Sequence, residues 1–437
     1  MGRVESKVSP QIVAEAAAAV IGRDCVRIVK RNAEHFASDG FQVVVEPDNE
    51  LQVSEVMRLA QQERWTVCPI GAGTQLSAGS PEDVDIILAM GKMNRILAYS
   101  PEDMVVTVQP GVSLNTLQAV LREHQQMLPL DPILADEATI GGVVATGASG
   151  PRRVLYGTVR DMVIGLRTVY PGGEVVRTGA KVVKNVAGYD MTKLFTGSFG
   201  TLGVLTEVTF KLRPLPIHRE TVVLSGSASA MDHLRKKVVD SYLIPSRFEV
   251  TSGGWQQVAG ESHGNWNMSV DCDENESSAA DQTAQLKQWA DELGLTCTVF
   301  RKDSADEWWD VYHRQLLEAE TVVRIGAPPS TLTAIGASVF SDVSVDAYRL
   351  SLGVGHGVGR LYLRGLTADK VVHIVEAVRK QAVECGGHAV VEKAPLSVRN
   401  KVDSFGATGS VEGLLRGIKA SIDPQGILNP GRFVGGI

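Results

Sequence analysis

A short segment rich in glycine and alanine, PIGAGTQLSAG at residues 69–79, has the composition of a loop that binds phosphate. Small side chains let backbone N–H groups approach an anion, and Thr74 adds a hydroxyl donor. The segment is not a Walker A loop, because it lacks Gly-Lys-Ser/Thr, and Leu76 replaces the third glycine of the dinucleotide fingerprint. An apolar run at residues 84–90 follows, where those loops would enter a helix. The sequence predicts a phosphate held by loop amides alone, with an ordinary tight turn as the alternative.

Apolar periodicity predicts the elements that hold this loop. Residues 41–47 and 66–70 are typical of buried strands, and the second strand leads into the loop. Between them, Asn49 and Gln52 predict the first turn of a helix. The same criteria predict a strand at 104–109 that ends at Pro110-Gly111, a helix capped by Ser113, a turn at 171–173, a strand at 204–210 and a short C-terminal helix ending at Asp423.

Two prolines, at positions 214 and 216, break the pattern, and we expect a domain boundary there. Beyond it, strand-like and helical runs alternate, which predicts an α+β domain with an antiparallel sheet. The polar stretch at 261–280 is predicted to be a loop or hairpin. The predicted division is an N-terminal helical extension (1–34), a first domain (35–216), a second α+β domain (217–395) and a C-terminal segment that packs on the first domain (396–437).

Composition excludes several classes of function. The chain has 43 Lys and Arg against 50 Asp and Glu, a net charge of −7, with no basic cluster, which argues against nucleic-acid binding. No apolar run approaches the roughly 18 residues that a membrane-spanning helix needs. The five cysteines are far apart without a Cys-x-x-Cys pair. They therefore offer neither a zinc site nor an iron–sulfur cluster, and they predict a reduced, cytoplasmic chain.

Five segments, taken in order, resemble a known family of flavoproteins. Together they resemble the FAD-binding family named after vanillyl-alcohol oxidase and p-cresol methylhydroxylase (PCMH). The resemblance implies the PCMH-type fold, in which the first domain binds FAD and the second is a cap. It also implies non-covalent FAD, because the first loop lacks the histidine that tethers the cofactor in some members. The segments are PIGAGTQLSAG (69–79), VTVQPGV (106–112), ATIGGVVATGASGPRRVLYGTVRDMVIGL (138–166), KNVAGYDMTKLFTGSFGTLGVLTEV (184–208) and IDPQGILNPGRF (422–433).

The resemblance also implies which residues contact the cofactor, with the first loop around the FAD pyrophosphate and the tail closing the isoalloxazine side. For Tyr156 and Asp161, the alternative is that they only pin a turn. The implied FAD-binding residues are Pro69, Ile70, Gly71, Ala72, Gly73, Thr74, Gln75, Pro110, Gly111, Thr139, Ile140, Gly141, Gly142, Ala148, Ser149, Gly150, Tyr156, Gly157, Asp161, Gly200, Gly203, Val204 and Asn429.

The chain departs from members of the family that oxidise glycolate or D-lactate. Those members carry His-x-Gly-Asp-Gly-Asn-x-His and a later Gly-Glu-His-Gly, which supply a metal and a base. The corresponding segments here are GHGVGRLY (355–362) and VVEKAP (390–395). Tyr362 stands in place of one histidine and Lys393 in place of another, so the resemblance implies no metal site of this kind. We expect Glu392 and Lys393 to form an ion pair, either near the flavin or in solvent.

Oxidation of a 2-hydroxy acid needs a cation for the carboxylate and a base for the hydroxyl proton. Arg324, in the apolar run TVVRIGAPP, is the candidate for an anion clamp, with a structural salt bridge as the alternative. Tyr362 and Lys393 complete the catalytic candidates. We expect His356 to be a loop or strand-edge residue, and the pair Trp308-Trp309 to pack within the second domain.

The resemblance implies that the chain is the FAD-binding subunit of a glycolate oxidase (2-hydroxy-acid dehydrogenase) complex, in which it serves electron transfer or scaffolding. The implied partners are a larger catalytic flavoprotein and an iron–sulfur subunit, through which a cytoplasmic complex would reach the membrane. Two alternatives stay open. One is a self-sufficient FAD-dependent 2-hydroxy-acid dehydrogenase or oxidase, and the other is a structural subunit with a vestigial flavin pocket.

Overall fold

The computed structural model describes residues 8–32, 35–36, 38, 40–80, 82–179, 189–254, 266–338, 343–407 and 409–437. Its helices are α1 (Pro10–Ile21), α2 (Glu50–Glu63), α3 (Leu114–Arg122), α4 (Ile140–Thr146), α5 (Arg153–Tyr156), α6 (Val159–Met162), α7 (Met191–Phe195), α8 (Ala228–Val239), α9 (Glu276–Leu293), α10 (Asp303–Leu317), α11 (Leu332–Ser338), α12 (Ala368–Glu384), α13 (Leu396–Arg399) and α14 (Glu412–Ile422). Its strands are β1 (Val26–Lys30), β2 (Phe41–Val45), β3 (Val67–Ile70), β4 (Ile86–Ala89), β5 (Ile96–Ser100), β6 (Val105–Val108), β7 (Gln126–Met127), β8 (Val163–Val169), β9 (Val175–Gly179), β10 (Val204–Lys211), β11 (Arg213–Pro214), β12 (His218–Gly226), β13 (Arg247–Gly253), β14 (Trp266–Glu274), β15 (Thr296–Arg301), β16 (Thr321–Gly326), β17 (Tyr348–Gly353), β18 (Val358–Leu363) and β19 (His388–Lys393).

The first sheet has the order β1-β2-β4-β3 and packs against α1 and α2. Strands β3 and β4 run parallel, so the glycine-rich loop leaves the sheet at the carboxyl end of β3. Asn49 caps α2 as predicted, since its side chain accepts a 3.0 Å hydrogen bond from the Gln52 amide. The expected N-terminal helical extension is wrong in one part. Residues Val26–Lys30 form β1, antiparallel to β2, because their β-branched side chains favour a strand.

The second sheet has the order β5-β6-β10-β8-β9 and is antiparallel throughout. Helices α3 and α4 cover one face of it, around a core that includes Leu117, Val143 and Phe210. The turn predicted at 171–173 joins β8 to β9. Val169 and Val204, at the ends of β8 and β10, pack in the core of the first sheet. The two sheets therefore meet where β3 ends and its loop begins.

The third sheet has eight strands in the part of the chain that the structure describes, in the antiparallel order β15-β12-β14-β13-β17-β18-β16-β19. Helices α8, α9, α11 and α12 cover one face, and α10 packs on the other. This sheet confirms the predicted α+β class. The stretch 261–280, expected to be a loop or hairpin, is not a loop where described: 266–274 is the buried strand β14, which pairs antiparallel with the preceding strand β13, and α9 begins at Glu276. In β14 the apolar Met268 and Val270 alternate with buried polar residues such as Asp271, which pairs with Arg247 at 2.7 Å.

The C-terminal segment returns to the first sheet. Leu428 forms a parallel bridge with Val67 of β3, and the amide of Asn429 donates a 2.8 Å hydrogen bond to the Val67 carbonyl. The tail thus lies beside the strand that carries the glycine-rich loop. The division of the chain into domains at 34, 216 and 395 stays a prediction. No helix within the described ranges is long and apolar enough to cross a membrane.

Asp423 fixes the start of this returning segment. Its carboxylate is 2% exposed and accepts hydrogen bonds from the amides of Ile427 at 3.1 Å and Leu428 at 2.8 Å. It also accepts a 2.7 Å hydrogen bond from the Lys419 ammonium, which is itself largely buried. One side chain therefore satisfies three buried donors.

We expect Asp423→Ala to lower the free energy of unfolding by about 3 kcal/mol, because it leaves the amides of Ile427 and Leu428 without an acceptor and the buried Lys419 ammonium without its counter-charge. Urea denaturation of the flavin-free chain measures the loss. Asp369→Ala is the control, since it removes an exposed carboxylate paired with Lys401 and should leave stability unchanged. Equal losses in the two variants would contradict this account of the tail.

Candidate functional site

A cleft of about 830 Å³ opens where the first two sheets and the C-terminal segment meet. Its walls come from the glycine-rich loop after β3, the start of α4, the turn before β10 and the tail. The lining residues are Pro69, Ile70, Gly71, Ala72, Gly73, Thr74, Gln75, Leu76, Ala78, Met90, Pro110, Thr139, Gly141, Gly142, Ala145, Thr146, Phe199, Gly200, Gly203, Val204, Leu205, Asn429 and Arg432.

The backbone of the glycine-rich loop presents unused donors to this cleft. The N–H groups of residues 72–75 donate no hydrogen bond to any residue that the structure describes. Gly73 has φ +77°, a left-handed conformation that glycine adopts without strain. Gly71 lies against Thr139, where an added Cβ would meet the threonine Oγ1 at 1.9 Å. The loop is therefore a row of free amides with no room for larger side chains behind it.

Arg432 from the tail holds the loop in this shape. Its guanidinium donates hydrogen bonds to the carbonyls of Leu76 and Ala78, and a third, of 2.6 Å, to the carbonyl of His35. The side chain also lies over the ring of Phe36. Because Arg432 binds the loop through carbonyl groups, the loop N–H groups stay free to face the cleft.

Asn429 supplies a polar atom without a partner on the opposite wall. Its Nδ2 donates a 2.5 Å hydrogen bond to the Phe199 carbonyl, while its buried Oδ1 has no hydrogen bond among the described residues. Both residues have left-handed backbones, with φ of +44° and +56°. A buried acceptor without a donor is rare in a folded chain. A bound molecule that carries donors fits this position.

The structure brings most of the predicted cofactor residues together, but not all of them. The side chain of Ile140 is buried in the core of the second sheet, and Gly111 packs against the carbonyl of Met90. Gly150 lies against the carbonyl of Asp131. The start of the predicted segment KNVAGYD lies outside the described residues. Phe199 and Arg432 also line the cleft, although the sequence analysis did not predict them as cofactor residues.

Tyr156, Gly157 and Asp161 do not line the cleft, and their contact with the cofactor stays a prediction. Asp161 caps α6 instead, where its Oδ2 accepts 2.8 Å hydrogen bonds from the amide and the hydroxyl of Thr158. Burial raises the pKa of Asp161, but these hydrogen bonds outweigh it and lower the pKa overall. Burial, with the nearby Asp273, raises the pKa of Tyr156 to about 12. The hydrogen bonds of Asp161 fit the alternative role of pinning a turn.

A second cavity, of about 1180 Å³, lies beside the cleft and extends toward the third sheet. The two share Thr74, Gln75, Ala78, Thr146 and Phe199, so they adjoin one another at these residues. Predicted residues Ala148 and Ser149 lie here and not in the cleft. The other lining residues are Pro132, Ile133, Leu134, Gly147, Arg153, Leu316, Leu317, Val322, Arg324, Arg360, Val390, Val391, Glu392, Lys393 and Phe405.

Two arginines of the third sheet share one carboxylate in this cavity. Arg324 of β16 lies directly opposite Arg360 of β18, a pairing of like charges that destabilises a sheet unless it is neutralised. Glu392 of β19 bridges them, at 2.9 Å from Arg324 Nε and 2.8 Å from Arg360 Nε. Burial raises the pKa of Glu392, but the two guanidinium groups outweigh it and lower the pKa. Glu392 is therefore a carboxylate at neutral pH and a weak base.

Lys393 and Glu392 do not form the predicted ion pair. The Lys393 ammonium donates a 2.7 Å hydrogen bond to the carbonyl of Ala319, although the residue lines the cavity as a catalytic candidate should. The register shift of β19 against β16 lies at this point, and Glu392 is turned toward the two arginines. Competition from two guanidinium groups explains the difference.

Tyr362 lies outside both spaces, in a buried aromatic cluster with Trp308, Trp309 and Tyr312. Burial raises the pKa of Tyr362 above its ordinary value, so its phenol does not act as a base at neutral pH. The tryptophans pack against the third sheet, as expected.

His356 lies in the turn between β17 and β18, with Nε2 3.3 Å from a Glu249 carboxylate oxygen. No group of three or more His, Cys, Asp or Glu side chains could hold a metal in the described part of the chain.

A family model described as an FAD binding domain matches residues 41–179. The glycolate oxidase subunit GlcD of Bacillus subtilis (strain 168) is 30% identical over 438 residues, which cover 89% of this chain and 88% of that protein. The chain belongs to the PCMH-type family of FAD-binding oxidoreductases. The predicted family, its cofactor FAD and its oxidoreductase class are thereby confirmed.

Two further similarities concern this flavoprotein's fold and part of its sequence. The crystal structure of p-cresol methylhydroxylase with substrate bound has a TM-score of 0.71 and 16% identity, and covers 98% of this chain and 97% of that one. The likeness is one of fold. The glycolate oxidase subunit GlcE of Escherichia coli (strain K12) is 48% identical over 122 residues, or 28% of this chain and 35% of that protein.

The cleft fits FAD in the chemistry of its donors. We propose that the free amides of residues 72–75 bind the pyrophosphate, because a dianion needs several donors at close range. The unpaired Oδ1 of Asn429 accepts a hydrogen bond from the cofactor in this arrangement. The cavity beyond Phe199 then receives the substrate.

We expect Gly71→Ala to weaken FAD binding at least about tenfold, because the new methyl group displaces Thr139 into the cleft. Titration of the flavin-free chain with FAD, followed by quenching of flavin fluorescence, measures the dissociation constant. Gly91→Ala is the matched control, since its added Cβ meets nothing within 4 Å. Wild-type affinity in Gly71→Ala would show that the cofactor does not use this side of the loop.

Proposed function

We propose that this flavoprotein oxidises a 2-hydroxy acid with its bound FAD. The observation that carries the proposal is the cationic cavity that adjoins the FAD cleft, where Arg153, Arg324, Arg360 and Lys393 face Glu392, the one carboxylate among the described lining residues. A carboxylate substrate suits this charge balance. The names of the glycolate oxidase relatives support the same substrate class. The cavity favours oxidation by the chain itself over a purely scaffolding role.

The chain's own residues supply binding and proton transfer in this proposal. Oxidation removes a hydride from C2 and a proton from the hydroxyl group, and leaves a 2-oxo acid. When bound, FAD accepts the hydride. The cavity arginines hold the carboxylate, and apolar neighbours such as Leu316 and Val322 exclude water. Lys393 is the candidate proton acceptor, a role that needs its uncharged form, because Glu392 is a weak base and Tyr362 lies outside the cavity.

We expect the purified, FAD-loaded chain to lose its flavin absorbance when mixed anaerobically with a 2-hydroxy acid. Lys393→Met should slow this bleaching about 100-fold or more, because it removes the proton acceptor. Lys401→Met is the control, since Lys401 is an exposed residue that pairs only with Asp369 among the described residues. A stopped-flow spectrophotometer measures both rates. A wild-type chain that binds FAD and is not bleached by any 2-hydroxy acid would support the scaffolding role. A folded chain that does not bind added FAD would support the alternative of a structural subunit with a vestigial flavin pocket.

We also propose that this flavoprotein works as a subunit of a glycolate oxidase complex, beside a larger catalytic flavoprotein and an iron–sulfur subunit. The 48% identity over 122 residues to the glycolate oxidase subunit GlcE of Escherichia coli supports this assignment. Cys25, Cys68, Cys272, Cys297 and Cys385 are all free thiols at scattered positions. In this proposal the iron–sulfur partner accepts the electrons that reach the flavin.

Purification of the tagged chain from its native source tests the subunit assignment. We expect two partners to copurify, with flavin on this chain and on the larger flavoprotein, and iron on a third chain. Flavin and iron counts per polypeptide, measured on the separated subunits, give the stoichiometry. A chain that purifies alone, yet reduces its flavin at full rate and passes electrons to a quinone, would replace the complex with the self-sufficient enzyme.

A further inference from the structure

The cavity beyond Phe199 contains a guanidinium, that of Arg153, which forms no ion pair and no side-chain hydrogen bond with the residues that the structure describes. Building on the proposed oxidation, we propose that Arg153 binds the substrate carboxylate, and that the substrate is a 2-hydroxy acid with an apolar side chain. Arg153 is the first residue of α5 and comes from the first half of the chain. The third sheet supplies the facing wall, so the two halves of the molecule meet at this guanidinium.

The three cavity arginines differ in their partners. Arg324 and Arg360 are both joined to Glu392, and Arg360 also donates a 3.4 Å hydrogen bond to the Ser149 carbonyl. Arg153 has no ion pair and no side-chain hydrogen bond within the residues described here. It is half-buried, and burial together with the charges of Arg360 and Arg324 lowers its pKa, against the opposing effects of Glu249 and Glu392.

An unpaired guanidinium in a partly dry cavity is costly, and an incoming carboxylate removes that cost. Its planar donors match the two oxygens of a carboxylate, which fixes the orientation of the acid as well as its position. Arg324 is less suited to this role, because its Nε already donates to Glu392. Arg324, Glu392 and Arg360 instead form a fixed polar wall, which makes the predicted anion clamp largely a structural salt bridge.

One part of the cavity wall is apolar, and a two-carbon acid cannot cover it. Ile133, Leu316, Leu317 and Val322 line it together. Leu317 is 42% exposed at the end of α10, although its neighbours Leu316 and Val322 are almost fully buried. Glycolate has no side chain to cover this surface, whereas a branched aliphatic side chain would remove it from water. The wall thus favours 2-hydroxy acids with apolar side chains over glycolate.

The test measures binding and flavin reduction separately on the FAD-loaded chain. The binding probe is 4-methyl-2-oxopentanoate, which cannot donate a hydride, titrated by calorimetry and by the shift of the flavin spectrum. The reducing substrates are 2-hydroxy-4-methylpentanoate and glycolate. The variants are Arg153→Met, Arg153→Lys and the control Arg160→Met, whose arginine is exposed on the neighbouring α6.

We expect Arg153→Met to weaken binding of the probe about 10- to 100-fold, as loss of a charged hydrogen-bond partner does. Its substrate KM should rise by a similar factor with a smaller change in kcat, and its FAD content should equal that of the wild type. Arg153→Lys should recover part of the affinity, and Arg160→Met should match the wild type. Wild-type chain should prefer 2-hydroxy-4-methylpentanoate to glycolate at least about tenfold in kcat/KM.

The outcomes separate this inference from the proposed function. If the wild type is bleached by 2-hydroxy acids and Arg153→Met keeps its probe affinity and KM, the carboxylate lies elsewhere and the assignment of Arg153 is wrong. If glycolate is the better substrate, the apolar side chain is wrong. If the probe binds through Arg153 but no 2-hydroxy acid bleaches the flavin, the anion site stands and the oxidation proposal fails.

Discussion

The structure depends on keeping a row of backbone N–H groups without protein partners inside a folded chain. A folded chain normally pairs such groups, and leaving several free is costly unless a ligand accepts from them. Here the loop after β3 cannot collapse onto itself, because Arg432 binds its carbonyl groups from behind. The parallel pairing of β3 with β4 and the bridge from Val67 to Leu428 fix where the loop begins.

A second constraint shapes the cavity that adjoins the FAD cleft. Two arginines on neighbouring strands of the third sheet would repel one another, and Glu392 holds them together. That arrangement fixes the positive wall before any substrate arrives, which is how a site avoids reorganising when it binds a charged molecule. Arg153, which approaches from the first half of the chain, adds a guanidinium that forms no ion pair with the described residues. Binding of an anion therefore joins the two halves of the molecule.

Local features of the fold followed from the sequence because their causes are local. Asn49 and Ser113 cap their helices through side chains that lie three residues before the amides they bind. The glycine-rich loop was predictable because a run of small residues is typical of a backbone that approaches a bound anion. Polar residues in β14 were misleading, since their partner Arg247 lies in a different strand.

The cavity was less predictable than the cleft, because its chemistry depends on pairings across strands. Glu392 and Lys393 are adjacent in sequence, yet one turns to two arginines and the other to the Ala319 carbonyl. Arg153 stands next to Arg152 in the sequence, and nothing in that pair indicates which guanidinium lacks a partner. Only the folded chain shows that the charges of Arg324 and Arg360 are shared while that of Arg153 is not.

The hydrogen bonds from Arg432 to the glycine-rich loop have a consequence for the biosynthesis of the protein. The loop emerges from the ribosome some 360 positions before its clamp, since Arg432 binds the Leu76 carbonyl across a sequence separation of 356 residues. Until that arginine is translated, the nascent polypeptide lacks the contact that keeps the amides apart. Loading of the prosthetic group is thus expected to follow the translation of Arg432.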